Sequence, residues 1–289
     1  MQLEGKRTLI TGAGSGIGRA LALEGARRGM LLALAGRRME PLQETLQQLP
    51  GSGHFIVLTD VTDAASRRAL ATTLANVWGG LDILVNNAGV VPGGPLERLS
   101  DAELEAAMAT NLMAPVAMVR DLLGLLRQSD EACVVNIGSL LGEVPYPLFA
   151  AYSASKAGLA GFSEALRREL APLGIGVVHV APRATRTAAA KPFETLAEPF
   201  GMTFDTPEQV AHAIWKAVRR KRLRLLPGRA ERLFVRLHQL FPRLVDRFIA
   251  RQLARAASPS LAMQKAGHAV IGHSHSLHHP HNTHEGDMP

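Results

Sequence analysis

The chain is predicted to be an α/β protein built on a doubly wound parallel sheet. Short, uninterrupted apolar runs alternate with longer amphipathic stretches through the first two-thirds of its 289 residues. Such runs, separated by helices, are typical of parallel strands that are covered on both faces. A glycine-rich turn, TGAGSGIG at residues 11–18, follows the first run. It stands at the carboxyl end of a predicted strand, where folds of this class bind their ligands.

The pattern predicts seven strands, at residues 7–10, 31–35, 54–58, 83–85, 133–137, 176–180 and 222–226. The amphipathic stretches between them include residues 19–28, 41–48 and 64–77. Pro227 and Gly228 close the seventh strand. The sheet and its helices are therefore expected to form one domain over residues 1–228.

Beyond this domain we predict a basic amphipathic helical extension at residues 229–257 and a flexible, histidine-rich tail at residues 258–289. Pro242 is expected to kink or divide the helix, because proline lacks the N–H group that a helix interior needs. Apolar residues recur in the extension at helical spacing: Leu233, Leu237, Leu240, Phe241, Leu244, Val245, Phe248 and Ile249. The arginines expected to lie largely away from this stripe are Arg232, Arg236, Arg243, Arg247 and Arg251.

The composition is that of a protein with a substantial core, since 47% of the residues are hydrophobic. The single cysteine, Cys133, lies in an apolar run, so a disulfide framework is excluded and a buried thiol is expected. The first residues lack the apolar segment of a secretory signal, and no apolar run approaches the length that crosses a bilayer. We therefore expect a cytoplasmic protein.

Positive charge is concentrated towards the C-terminal end of the chain. The formal net charge is +7, and residues 216–255 contain thirteen Lys or Arg against two acidic residues. A basic amphipathic helix at residues 229–255 could bind the anionic inner surface of a membrane peripherally. The alternative is that its apolar stripe packs on the core or on a second subunit. No nucleic-acid partner is predicted, because no recognised binding motif accompanies the charge.

The spacing of the glycines in the turn predicts a phosphate site. A P-loop is excluded because Arg19 and Ala20 stand where Lys and Ser or Thr are required. Ile17 occupies the third glycine position of the standard dinucleotide fingerprint, so a variant spacing remains. That variant still leaves free N–H groups at the start of a helix, where they favour a pyrophosphate.

Polar residues follow the next three predicted strands. Arg37 and Arg38 suit a ribose 2′-phosphate and so favour NADP(H), although a solvated charge pair is the alternative. Asp60 could accept a hydrogen bond from an adenine amino group. Asn86 and Asn87 begin an Asn-Asn-Ala-Gly turn near the expected cofactor edge, and for Asn86 a purely structural role is the alternative.

Three further residues predict proton-transfer chemistry. Tyr152 and Lys156 are spaced i,i+4 on a predicted helix, so their side chains share one face. The ordinary pKa of tyrosine, about 10, is too high for efficient proton transfer at neutral pH, and a nearby lysine is expected to lower it. Ser139 stands at the end of the fifth strand, where its hydroxyl could hydrogen-bond a substrate carbonyl.

Taken together, these motifs resemble those of the short-chain dehydrogenase/reductase family. The resemblance covers roughly residues 4–228 and depends on Thr11-Gly12-x-x-x-Gly16-x-Gly18, Asn86-Asn87-Ala88-Gly89, Asn111, Ser139 and Tyr152-x-x-x-Lys156, in order. It implies a Rossmann-type single domain that binds NAD(P). It also implies a homo-oligomer.

The resemblance assigns roles to individual residues. It implies that Tyr152 is the general acid or base, that Lys156 tunes it and binds the nicotinamide ribose, and that Ser139 polarises the carbonyl. Asn111 would hold a water that relays protons to Lys156. The implied cofactor-binding residues are Gly12, Gly14, Ser15, Gly16, Ile17, Gly18, Arg37, Asp60, Val61, Asn87, Tyr152, Lys156, Thr185 and Thr187.

One position departs from the family pattern, and it lies at the nicotinamide end. Pro182 is followed by Arg183, whereas the family usually has glycine there. Arginine adds a Cβ and a charge, so the pose of the cofactor is in question at this point. No metal site is expected, because the histidines of the tail lack partners at defined spacing.

The expected function is that of an NADP(H)-preferring oxidoreductase, with NAD(H) as the alternative cofactor. It would interconvert a hydrophobic, lipid- or steroid-like ketone or aldehyde and its alcohol. A 3-oxoacyl-thioester reductase and a catalytically idle NADP-binding regulatory protein are the alternatives. The apolar lining on which this depends, which could equally close onto the core, is Leu140, Leu141, Tyr146, Pro147, Leu148, Phe149, Phe193, Leu196, Phe200, Met202 and Phe204.

Overall fold

Seven parallel strands form one sheet in a computed structural model that describes residues 1–188, 190–191 and 203–255. The strands are β1 (Arg7–Thr11), β2 (Leu31–Gly36), β3 (Phe55–Leu58), β4 (Ile83–Asn86), β5 (Cys133–Ile137), β6 (Gly176–Val180) and β7 (Arg224–Leu225). They lie in the order β3-β2-β1-β4-β5-β6-β7. The strand order reverses between β1 and β4, so a crevice opens there at the carboxyl ends of the strands.

Helices connect the strands and cover both faces of the sheet. They are α1 (Gly16–Arg27), α2 (Met39–Gln47), α3 (Ala64–Trp78), α4 (Asp101–Met108), α5 (Ala114–Leu126), α6 (Ala150–Leu170) and α7 (Pro207–Arg219). A π-helical turn, Ala109–Met113, joins α4 to α5, and the chain continues after β7 with α8 (Arg229–Leu240) and α9 (Pro242–Arg255). Local signals account for several ends: capping boxes start α4 and α7, and Gly79, at φ 65°, ends α3.

The predicted fold class is confirmed. Two predicted strands, at 133–137 and 176–180, agree with β5 and β6 residue by residue, and four others differ by one residue at one end. The seventh, predicted at 222–226, is only two residues long. The strands are easy to locate because nearly every side chain of β1, β2, β4 and β5 is buried. On one face Trp215 of α7 is fully buried and donates from Nε1 to the Leu21 carbonyl at 3.1 Å. Leu122 of α5 and Leu166 of α6 are buried on the other face.

The helix pair α8–α9 divides the predicted apolar stripe between two faces. Val235, Val245 and Ile249 are buried against Val144. Leu237 is partly buried against the same cluster. The other apolar side chains of the predicted stripe are 50–70% exposed: Leu233, Leu240, Phe241, Leu244 and Phe248. As predicted for Pro242, the helix is divided, since α8 ends at Leu240 and α9 begins at Pro242.

One helical stretch, Asp101–Leu126, is long and apolar enough to cross a membrane, with a mean hydropathy of 1.2 over its most apolar window. The sequence expectation of no such stretch is corrected here, because a helix averages its apolar content over several interrupted runs. Met118, Leu122 and Leu126 of this stretch are buried in the core against the sheet. Packing on the sheet accounts for its hydropathy.

Candidate active site

The glycine turn after β1 is held tightly against the turn after β4. Gly12 and Gly16 have φ of 65° and 52°, in the left-handed region that favours glycine. Asn87 donates from Nδ2 to the carbonyls of Thr11 at 2.9 Å and Gly12 at 3.3 Å. A Cβ on Gly18 would overlap the Gly12 carbonyl oxygen and lie 2.6 Å from Asn87 Nδ2. The glycines are therefore required by backbone conformation and by this close approach.

Ser139, Tyr152 and Lys156 face one cavity of about 730 Å³. The strand β5 delivers Ser139 at its end, and α6 presents Tyr152 and Lys156 from its first two turns. The Ser139 hydroxyl is hydrogen-bonded to Tyr152, and it also accepts from the Leu141 amide at 3.1 Å. Lys156 is buried and donates from Nζ to the Ile137 carbonyl at 2.8 Å. The structure thus brings the three predicted side chains together.

Burial dominates the electrostatics of this group. Burial raises the pKa of Tyr152, and the hydrogen bond with Ser139 opposes this rise without cancelling it. Burial also lowers the pKa of Lys156 to about 8. The Lys156 ammonium is directed at the Ile137 carbonyl and lies 5.8 Å from the centre of the Tyr152 ring. The prediction that Lys156 lowers the pKa of Tyr152 stays a prediction, since burial and the hydrogen bond with Ser139 account for the shift in this structure.

Asn111 does not line the cavity. It is fully buried in the π-helical turn, where Nδ2 donates to the Val90 carbonyl at 2.9 Å and to Ser155 Oγ at 3.1 Å. Its Oδ1 accepts from the Val90 amide at 2.9 Å. The side chain therefore fixes the loop after β4 against α6. A water relay through Asn111 stays a prediction.

A second, smaller cavity of about 160 Å³ continues from the glycine turn towards β2 and β3. Gly14, Arg37, Asp60 and Val61 line it, and it shares Gly12 and other residues with the larger cavity. Burial raises the pKa of Asp60, but hydrogen bonds from Thr62 and the charges of Arg37 and Arg67 outweigh this effect and lower it. Asp60 is therefore held as a carboxylate beside the exposed Arg37.

The chain that follows β6 covers the opposite end of the glycine turn. Thr185 and Thr187 both line the larger cavity. A Cβ on Gly16 would lie 3.0 Å from Thr187 Cγ2, so this segment passes directly over the turn. Of the predicted cofactor residues, Gly18 alone lines neither cavity, since it packs behind the turn.

This arrangement fits a nicotinamide dinucleotide. The two connected cavities run from Arg37, past the left-handed glycines, to Thr187 and the Ser139–Tyr152 pair. A Cβ at Gly18 would overlap the Gly12 carbonyl and so displace the turn that forms the cradle. The N-terminus of α1 opens onto this cradle, where its N–H groups and dipole favour a pyrophosphate.

A sequence profile of the short chain dehydrogenases matches residues 6–196. The chain belongs to this family. The 3-oxoacyl-(acyl-carrier-protein) reductase FabG of Vibrio cholerae is 34% identical over 221 residues, which cover 74% of this chain and 90% of the relative.

Solved structures of the family agree with the fold. Actinorhodin polyketide ketoreductase with NADPH superposes with a TM-score of 0.69 at 29% identity, covering 74% of this chain and 90% of the other. A short chain dehydrogenase/reductase from Burkholderia phymatum in complex with NAD has a TM-score of 0.74 at 28% identity, covering 84% and 96%. This short-chain dehydrogenase is thus an NAD(P)-dependent oxidoreductase that acts on CH–OH and carbonyl groups.

The structure shows how Arg183 is accommodated at the position where the family usually has glycine. Its φ is not positive, so arginine replaces the family's glycine without backbone strain. The guanidinium binds both carboxylate oxygens of Asp205, each at 2.9 Å, and it contacts Glu231 of α8 at 2.6 Å. The hydrogen bond with Asp205 raises the pKa of Arg183 further, and the charge of Glu231 adds to this effect. The Arg183 guanidinium is engaged with these two carboxylates.

Sequence reasoning missed part of the cavity wall. Phe234 of α8 and both Phe248 and Gln252 of α9 line the larger cavity. The periodic apolar spacing of the extension was the available signal, but spacing does not reveal which surface a helix contacts. Of the predicted lining, Leu140, Leu141, Tyr146, Phe149 and Phe204 face the cavity, Pro147 and Leu148 do not, and Phe193, Leu196, Phe200 and Met202 fall outside the described residues.

Within the described residues, no group of three or more His, Cys, Asp or Glu side chains is placed to hold a metal ion. The histidine-rich tail at 258–289 lies outside them. Cys133 is buried, and burial raises its pKa to about 12, as expected for a thiol of the core.

Proposed function

We propose that this dehydrogenase is an NADP(H)-preferring carbonyl reductase that interconverts a hydrophobic ketone or aldehyde and its alcohol. The observation that carries the proposal is the position of Ser139, Tyr152 and Lys156. They line one cavity between a glycine cradle for a dinucleotide and a wall of apolar side chains. The proposal is tested by screening purified protein with hydrophobic ketones and alcohols. The absorbance of the reduced nicotinamide reports turnover. A protein that binds the cofactor but turns over none of them would instead be the idle regulatory alternative.

The residues of the chain divide the chemistry between them. A nicotinamide held in this cavity would supply or accept the hydride. Tyr152 donates a proton to the carbonyl oxygen during reduction and accepts one during oxidation. Ser139, hydrogen-bonded to Tyr152, polarises the same carbonyl. Lys156 would bind the nicotinamide ribose, and it carries its positive charge below pH about 8. A water held near Asn111 would return protons to Lys156.

The preference for NADP(H) depends on Arg37. Its guanidinium is exposed at the smaller cavity, beside Asp60 and Arg38, and could bind a 2′-phosphate. We expect Arg37→Ala to raise the KM for NADPH about tenfold and that for NADH less than about twofold. Arg68→Ala, an exposed arginine on α3, is the matched control. Equal losses with both cofactors would remove the role of Arg37 in recognising the phosphate.

A 3-oxoacyl thioester is the second candidate substrate class. It is supported by the names of the relatives, which are 3-oxoacyl and polyketide ketoreductases. Such a substrate combines a carbonyl group with an apolar chain, which suits the same wall. Comparison of kcat/KM for 3-oxoacyl thioesters with that for simple ketones of equal size decides between the two classes.

We further propose a cytoplasmic protein that binds the membrane surface through α8 and α9. Leu240, Phe241 and Leu244 are exposed at the break between the helices. The exposed Arg236, Arg243 and Arg247 stand close to them in the chain. Basic residues would approach anionic headgroups, and the apolar side chains would insert. Leu237 is not among them, since it is partly buried.

Flotation with phosphatidylserine vesicles measures this binding. It should weaken with salt without disappearing, because insertion is not screened. Phe241→Asp should reduce binding more than Arg247→Lys does. If the intact protein ignores the vesicles, the membrane proposal fails. Deletion of 229–289 is a poor test, because it would also expose Val144 to water.

The same family membership supports a homo-oligomer. Met113 and Leu104, beside the π-helical turn, are 62% and 39% exposed and offer an apolar contact surface for a second copy. Light scattering coupled to size-exclusion chromatography measures the assembly. We expect Met113→Glu to shift it towards the monomer, and an unchanged mass would place the interface elsewhere.

A further inference from the structure

The helix pair α8–α9 packs on the loop that carries Ser139. Val235 of α8 and both Val245 and Ile249 of α9 are buried in one cluster with Val144, a residue of that loop. Tyr146, from the same loop, packs partly against this cluster. The helix pair α8–α9 therefore packs directly on the loop that carries Ser139.

Aromatic side chains of the pair face the cavity. The rings of Phe234 and Phe248 meet edge to face, with their centroids 6.0 Å apart, and both line the cavity of about 730 Å³. Leu253 of α9 packs in the apolar cluster that includes Phe149 and the ring of Tyr152. Phe248 is 50% exposed, so the cavity has its mouth beside α9. An apolar tail attached to a carbonyl at Ser139 and Tyr152 would lie against these rings.

Arg183 connects α8 to the chain that follows β6 through ion pairs. It lies after β6, takes both oxygens of Asp205 and reaches Glu231 in the first turn of α8. The three side chains are only 18–27% exposed. A planar guanidinium that binds one carboxylate in a bidentate manner and a second one end-on forms a geometrically specific, charge-assisted network. The Asp205 amide donates to the Ala184 carbonyl, and the Asp205 carbonyl accepts from the Arg186 amide. These backbone hydrogen bonds fix the position of Asp205 beside Arg183.

We propose that Arg183 is a positioning residue that clamps α8–α9 over the cavity, and that this pair is the wall that selects substrates by the length of their apolar tail. The inference rests on the proposed carbonyl reductase function. It assigns the arginine that departs from the family's glycine to substrate selection rather than to the chemistry. The ligand class is an amphiphilic carbonyl compound whose tail lies against Phe234 and Phe248.

The test compares short and long substrates in matched variants. The probes are 3-oxoacyl N-acetylcysteamine thioesters of increasing chain length, with selectivity defined as kcat/KM for the longest divided by that for the shortest. We expect Arg183→Gly and Glu231→Gln each to lower this selectivity about tenfold, mainly through KM for the long thioester. Arg183→Lys should retain part of the selectivity that Arg183→Gly loses, because lysine keeps the positive charge but lacks the paired N–H donors of the guanidinium. Arg236→Gln, an exposed arginine on α8, is the control and should keep the parent selectivity.

A second measurement does not require turnover. The fluorescence of cis-parinaric acid, an apolar chain with a carboxylate head, reports binding in the cavity. We expect Phe234→Ala and Arg183→Gly to weaken its binding about tenfold, and Arg236→Gln to leave it unchanged.

The outcomes separate the clamp from the proposed function. Equal losses for short and long thioesters in Arg183→Gly would overturn the clamp and place Arg183 in cofactor binding or chemistry. An unchanged selectivity and unchanged fluorescence would overturn it as well. If the parent protein turns over no thioester or ketone, the proposed function fails, and the cis-parinaric acid measurement still decides whether α8–α9 is the wall.

Discussion

The two walls of the cavity are built differently. The inner wall comes from β5 and α6, where Lys156 is buried and anchored on the Ile137 carbonyl and Ser139 is bonded to Tyr152. The outer wall comes from α8 and α9, which bury few side chains and leave five large apolar ones at least half exposed. The inner wall is continuous with the core of the sheet, whereas the outer wall is held by two small apolar clusters and the Arg183 network.

This difference separates two tasks. Proton transfer needs groups with shifted pKa values, and these require burial in a rigid frame. Selection of a substrate needs only a surface that contacts its tail, and a peripheral element can supply this without disturbing the frame. Changes to the inner wall should therefore alter rates and stability together, while changes to the outer wall should alter selectivity.

The largest effect is expected from the proton donor. Tyr152→Phe removes the transferable proton and should lower kcat at least about 100-fold with an active substrate, while cofactor binding and the fold persist. Tyr146→Phe changes the chain's other tyrosine in the same cavity and should lower kcat by less than about tenfold. Absorbance assays of both variants make the comparison, and near-normal turnover in Tyr152→Phe would contradict the assignment.

The second prediction concerns stability and pH. Because burial lowers the pKa of Lys156 from 10.5 to about 8, the unfolded chain binds more protons than the folded chain between these values. The free energy of unfolding therefore rises with pH across this window, and Lys156 is destabilising below it. We expect Lys156→Met to stabilise the protein by up to about 3 kcal/mol near neutral pH while abolishing turnover.

Urea unfolding near neutral pH and near pH 10.5 measures the effect of Lys156→Met, and the gain should shrink at the higher value. Lys216→Met, at an exposed position of α7, is the control. A gain of equal size in the control, or one that does not depend on pH, would show that the buried charge is not the cause.

The third prediction tests the glycine cradle. A Cβ at Gly18 overlaps backbone, and overpacking of this kind costs about 1–3 kcal/mol, so Gly18→Ala should weaken cofactor binding about thirtyfold. Gly161→Ala on α6 is the matched control, because no atom lies within 4 Å of its Cβ position. It should leave cofactor binding unchanged. Isothermal titration with NADPH measures both, and equal affinities for the two variants would rule out the close approach as the reason for glycine.

The smallest effects distinguish the two faces of the outer wall. Ile249→Ala empties a buried site beside Val144 and should lower the free energy of unfolding by about 2 kcal/mol. Leu240→Ala, at a side chain that is 70% exposed, should change it by less than about 0.5 kcal/mol. Thermal unfolding compares the two, and equal losses would mean that the exposed face is also packed.

Much of the fold and part of the site could be predicted from local sequence. Strands β1, β2, β4 and β5 are buried along most of their length, so their apolar runs are unbroken. Tyr152 and Lys156 share a helix face because of their spacing alone. The outer wall could not be predicted in this way, since the spacing of Phe234 and Phe248 is compatible with core packing, a second subunit or a membrane.

The sequence by itself determined the α/β class, the membership of the family, and the set of side chains that meet at the carboxyl ends of β4 and β5. These follow from periodicity and short motifs, which near neighbours in the chain encode. Only the tertiary structure decided that Arg183 binds residues 22 and 48 positions further along, that α8–α9 covers the cavity, and that burial raises the pKa of Tyr152. Ion pairs and desolvation depend on distances between elements that are remote in sequence, and the packing of the whole chain sets those distances.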